Sequence, residues 1–107
     1  MQIDIPPEFR KACRNLGQDL ARKTRAMSVA DANTLLVQTA IIGIDRNEAK
    51  AIREFIDDFL NKGLSSKQRV DFWRETPSEI YFYDGEHVEG FLRLLGARLV
   101  QPPYQES

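Results

Sequence analysis

The pattern that most constrains this chain runs from Asp45 to Leu64. Ala49, Ile52, Phe55, Ile56, Phe59 and Leu60 recur at three- and four-residue steps, while Lys50, Arg53, Glu54, Asp57 and Asp58 occupy the positions between them. That spacing is the period of an α-helix with one apolar stripe. Asp45 followed three residues later by Glu48 has the form of a capping box, in which each side chain accepts from the other residue's free backbone N–H. Lys62-Gly63-Leu64 supplies the matching stop, a glycine C-cap with an apolar residue behind it. A helix over 46–61 with so clean a stripe needs other elements to cover it.

The rest of the chain supplies them in the same style. Pro6-Pro7 opens a helix where a missing N–H costs nothing, and Phe9, Cys13, Leu16, Leu20 and Met27 continue it at helical steps. Arg22, Lys23 and Arg25 crowd its end, where cations suit the helix dipole, so a first helix is expected from about residue 7 to 26. Ser28 and Asp31 have capping-box form for a second helix through Leu35, Leu36, Ala40 and Ile41, stopping near Gly43. The β-branched residues of 34–44 leave a buried strand as the competing reading. Ser65 and Gln68 cap a short helix, 66–75, which carries Val70, Phe72 and Trp73 and is ended by Pro77. Val88, Phe91, Leu92, Leu95 and Leu99 make a closing helix capped by Asp84. Asp84-Gly85 is also a hairpin dipeptide, so two short strands at 80–83 and 86–88 compete with that start. The fold expected is all-α, a compact bundle of about five helices with a short extended or irregular link before the last. It forms a single domain over 1–107 that ends in a loose, proline-rich tail, 101–107.

Composition narrows the functional classes. With 42% apolar and 29% charged residues, the 107-residue chain is of ordinary globular make-up and large enough for a core without disulfides or metal. A net charge of −1 argues against a dedicated nucleic-acid binder. Residues 1–27 are basic, with Arg10, Lys11, Arg14, Arg22, Lys23 and Arg25 against Asp4, Glu8 and Asp19, and the remainder is acidic. The single cysteine, Cys13, excludes an internal disulfide and lies on an apolar stripe, where free cysteine acts as buried filler. The N-terminus lacks a charged n-region and an apolar h-region, and the longest apolar run, 35–44, is too short to span a bilayer, so a soluble cytoplasmic protein is expected.

Residues that could do chemistry are sparse. His87, the one histidine, is flanked by Glu86 and Glu89; a His–carboxylate pair can make a general base, but one histidine among acids on a helix start reads first as a surface residue. Asp57-Asp58 lacks a third ligand one turn away and reads as a solvated helix face. Zinc needs several Cys or His ligands, and phosphate loops need a glycine spacing that the sequence does not contain. The chain is read as no enzyme, with no cofactor and no metal.

One surface stretch stands apart. From Arg74 to Arg93 no Lys or Arg intervenes, and Glu75, Glu79, Asp84, Glu86 and Glu89 surround Ile80-Tyr81-Phe82-Tyr83. Extended backbone would send Ile80 and Phe82 to one side as anchors and Tyr81 and Tyr83 to the other. Tyrosines amid carboxylates suit a basic protein partner, because tyrosine is enriched at binding hot spots and like charges speed encounter with an opposite surface. All seven, Glu75, Glu79, Tyr81, Tyr83, Asp84, Glu86 and Glu89, are candidate partner-binding residues. The competing reading puts the aromatics in the core and leaves the acids as solubilising charge.

Glu79-Ile80-Tyr81-Phe82-Tyr83-Asp84 before a terminal amphipathic helix resembles the late segment of nuclease-colicin immunity proteins. The wider run Asp71-Phe72-Trp73-Arg74, Thr76 to Phe82 and Phe91-Leu92-Arg93-Leu94-Leu95 is similar to immunity proteins of contact-dependent growth inhibition systems. The likeness spans residues 71–99. Phe82 stands in place of one of the paired colicin-type tyrosines, and the Ser-Pro-Glu-Gly helix opening is absent. The resemblance implies a bacterial, non-enzymatic inhibitor that binds a basic toxin domain, a nuclease, through the acidic tyrosine segment. The alternative is a small helical DNA-binding regulator using the first helix or the helix over 66–75.

Overall fold

The computed structural model describes residues 3–104. Among them are six α-helices and no strand: α1 Pro7–Arg14, α2 Gln18–Arg25, α3 Val29–Ala40, α4 Arg46–Leu60, α5 Ser66–Arg74 and α6 Gly85–Arg98. The local signals set most of these boundaries. Asp45 and Glu48 close both halves of their box, with the Glu48 N–H donating to Asp45 Oδ1 at 2.8 Å and the Asp45 N–H to Glu48 Oε1 at 3.0 Å. Ser65 and Gln68 do the same at the head of α5. Ser28 accepts from the Asp31 N–H, and Asp84 from the His87 N–H at 2.9 Å. Gly43 and Gly63, just beyond α3 and α4, take the positive φ that the chain needs to turn there.

Ala49, Ile52, Ile56 and Phe59 of α4 are buried, and α1 and α6 cover them. Phe9, Phe55, Phe59 and Phe72 make one ring cluster, the closest pair being Phe59 and Phe72 at 4.4 Å between centroids. Trp73, Phe82 and Phe91 form a second cluster where α5, the following link and α6 meet. Aromatic side chains thus carry much of the apolar area the fold removes from water.

The single helix expected over 7–26 is two. Asn15 leaves the helical run, and its side-chain amide donates to the Ala40 and Ile42 carbonyls at 3.0 and 2.9 Å. These carbonyls at the end of α3 would otherwise lack partners. Leu16 stays in the core at 1% exposure, and its carbonyl accepts from the Glu79 N–H at 2.8 Å. Gly17 then opens α2 in extended geometry. Satisfying those distant groups outweighs three residues of continued helix, and α2 swings out. It packs against α3 and has no fully buried residue. Met27, expected on the stripe, is 40% exposed.

The buried strand considered for 34–44 does not form, since α3 runs to Ala40, and the hairpin considered at 80–88 gives way to the capped start of α6. The tail expected to be loose is docked as far as Tyr104. That ring is buried, its hydroxyl donates to the Ile41 carbonyl at 3.4 Å, and Arg46 and Arg98 donate to the Pro103 and Pro102 carbonyls. Residues 105–107 lie outside the described part. No helix among the described residues is long and apolar enough to cross a membrane.

Candidate functional site

The link between α5 and α6 is irregular, yet it is tied down residue by residue. Pro77 stops α5, and the buried Thr76 hydroxyl donates back to the Trp73 carbonyl at 2.7 Å. The Glu79 N–H reaches Leu16, the Ile80 N–H donates to Ser78 Oγ at 3.0 Å, and Trp73 Nε1 donates to the Ile80 carbonyl at 2.7 Å. Beyond these ties burial alternates residue by residue from Ile80 to Tyr83. Ile80 is buried, and Phe82 lies on Trp73 and Phe91 at 4.9 and 5.7 Å. Tyr81 and Tyr83 are left 68% and 88% exposed. Two large rings held in water by a fastened backbone have no role in the core.

Glu75, Glu79, Asp84 and Glu86, before and after them in the chain, are exposed. Asp84 is partly committed to its cap, and its other oxygen lies 3.5 Å from His87 Nδ1. Glu89 differs from its sequence reading as an unanswered acid. It is half-buried between Arg69 of α5 at 3.0 Å and Arg93 one helical turn on at 2.7 Å. The hydrogen bond from Arg93, with the charge of Arg69 behind it, holds its carboxyl below the ordinary glutamate value. Glu89 therefore joins α5 to α6 and does not stand in the free acidic rim.

Other candidates have structural roles. Burial pushes the Cys13 thiol up to about 12, which keeps it neutral and unreactive at physiological pH. Asp58 pairs with Lys62 at 3.2 Å on the outer face of α4. Lys11 of α1 pairs with Glu48 at 2.8 Å and also donates to the Gly43 carbonyl, which fastens α1 to the head of α4.

Sequence reasoning missed the feature beside the tyrosines. Because α2 turns outward after Gly17, a groove of about 510 Å³ opens between the α2–α3 pair and the link. Ala32, Leu36 and Ile80 line its apolar part. Arg22 and Arg25 border it from α2, and Glu79, Tyr81 and Tyr83 border it from the link. Met27 and Val29, 40% and 65% exposed, extend the apolar surface at the α2–α3 turn. Gly17 was the one sequence signal of the break, but nothing local says which way the chain turns afterwards.

Comparison with protein-family models, with curated proteins and with solved structures finds no match for this chain. Fold and site together define an all-helical bundle with an apolar groove, bordered by Arg22 and Arg25 on one side and by Glu79, Tyr81, Tyr83 and His87 on the other.

Proposed function

We propose that this chain is an immunity protein, a stoichiometric inhibitor that binds and neutralises a cognate bacterial toxin in the cytoplasm. The observation that carries the reading is the exposure of Tyr81 and Tyr83 on a link anchored from Thr76 to Phe82. Large rings presented by an already ordered backbone lose little further entropy on binding, so more of their contact energy appears as affinity. The exposed Glu75, Glu79, Asp84 and Glu86 flank them in the chain, and negative charge of that kind steers and orients a basic partner. A nuclease meets that description, because its cleft must hold phosphates. The resemblance of residues 71–99 to bacterial immunity proteins points the same way.

The test is capture of the C-terminal domain of the protein encoded next to this chain. Tyr81→Ala with Tyr83→Ala should weaken that complex by ~2 kcal/mol or more while leaving the helical circular dichroism unchanged. Reversing Glu79 and Glu86 should slow association chiefly at low salt. A complex indifferent to all four changes would sink the reading. The alternative, a DNA-binding regulator, has one observation in its favour, the solvent-facing Arg22, Lys23 and Arg25 of α2. Recovery of duplex DNA without any protein partner would decide for it.

A further inference from the structure

We infer that the groove between the α2–α3 pair and the link is a self-association surface, closed by the same groove of a second copy of this chain. Four large apolar or aromatic residues, Met27, Val29, Tyr81 and Tyr83, converge on one opening while each is at least 40% exposed. Such a cluster on a small protein marks a surface meant to be covered.

The charges say what covers it. One border carries Arg22 and Arg25, and the opposite border carries Glu79 with His87; the exposed Asp84 and Glu86 follow along the chain outside the groove itself. Among the described residues Arg25 makes no ion pair, and Arg22 meets Asp19 only at 3.9 Å with both side chains largely in water. A matching surface must therefore be apolar in the middle, acidic over α2 and basic over the link. A second copy turned about a two-fold axis parallel to the groove has that layout: its α2 border faces the first copy's link, and its link faces the first copy's α2. Turning it about an axis across the groove would set like charges together, so charge selects one of the two arrangements. Each Arg22 and Arg25 then lies near the partner's Tyr81 and Tyr83, where guanidinium groups also gain from stacking on the ring faces. A net charge of −1 opposes the approach of two copies only weakly. The pairing does not depend on the toxin reading. If both hold, they compete for the same tyrosines, and the pair is a form that the toxin must open.

The experiment is sedimentation equilibrium of the full chain up to about 1 mM, at low and high salt. The 12.3 kDa chain should approach twice its mass with rising concentration, and less so at high salt. Arg22→Glu with Arg25→Glu, and separately Glu79→Arg with Glu86→Arg, should each weaken association about tenfold or more. All four side chains are exposed, so circular dichroism should report intact helices in both variants. Mixing the two variants should restore a pair containing one of each, because the charges again alternate across both borders. A chain that stays monomeric throughout overturns the inference, leaving the groove to a foreign segment. So does a dimer that neither charge variant weakens, or a mixture that fails to re-form. None of these outcomes touches the toxin reading, which capture of the neighbouring gene product tests by itself.

Discussion

Trp73 donates its indole N–H to the Ile80 carbonyl at 2.7 Å within the core, and this bond sets the phase of the link that follows. With the Ile80 backbone held against Trp73, the Ile80 side chain points inward. Phe82, two residues on, then packs against the same indole at 4.9 Å. Tyr81 and Tyr83 take the remaining phase and face solvent. Shifting the link by one residue would exchange buried and exposed sets, as a register slip does in a strand.

Replacing Trp73 by Phe keeps an aromatic ring but removes the donor. The Ile80 carbonyl would then rely on Ser78 Oγ, which is 3.4 Å away. A buried acceptor left nearly unpaired costs about 1–3 kcal/mol, to be read as a lower urea midpoint with an unchanged slope. Capture of the proposed toxin partner should weaken as well, because the backbone of Tyr81 and Tyr83 loses its fastening.

Two glycines in α6 should respond to alanine in opposite directions. A Cβ on Gly85 would lie 2.5 Å from the Ser66 Cα and 2.6 Å from its carbonyl oxygen, so the heads of α5 and α6 would have to separate. Gly85→Ala should destabilise by roughly 1–3 kcal/mol, the usual range for overpacking. At Gly90 a Cβ meets nothing within 4 Å, and helix preference acts alone. Gly90→Ala should stabilise by about 0.5–1 kcal/mol. Thermal melts of the two variants side by side check both signs.

The acid limb of the stability profile should be traceable to Glu48 and Glu89. Lys11 holds Glu48, and Arg93 with Arg69 holds Glu89, each below the ordinary value of 4.5. A carboxyl depressed in the folded state contributes fully above its unfolded pKa, and that contribution is lost as pH falls through the folded one. Denaturant midpoints should therefore hold from neutrality to about pH 5 and decline below the glutamate range. Glu48→Gln with Glu89→Gln should flatten the decline, and added salt should blunt it because both pairs are partly open to water.

Cys13 should resist thiol reagents while the chain is folded. Its thiol is pushed up to about 12 from an ordinary 9.0, chiefly by burial, so little thiolate exists to react. Alkylation followed by mass spectrometry should be slow at pH 8 and become fast in denaturant. The same shift lowers stability in alkali, because above pH 9 the unfolded chain loses the proton that the folded chain keeps.

What the sequence determined by itself is short-range. Asp45 with Glu48, Ser65 with Gln68, Ser28 and Asp84 set helix starts because a cap acts on N–H groups within three residues of itself. The stripe of α4 follows from a periodicity of a few residues, so a mainly helical bundle was legible in the sequence. Alternation along 80–83 left a core position for the tyrosines open, and the packing of Ile80 and Phe82 against Trp73 decided it. The tertiary structure decided what depends on groups far apart in the chain. The Asn15 amide meets carbonyls 25 and 27 residues away and divides one expected helix in two. Arg69 crosses 20 residues to occupy Glu89, and the Tyr104 hydroxyl crosses 63 to reach Ile41 and dock a tail whose composition reads as loose. The groove belongs to the same class. Its borders lie on α2 and on the link, and long-range ties such as those of Asn15 to α3 and of Glu79 to Leu16 help bring them face to face.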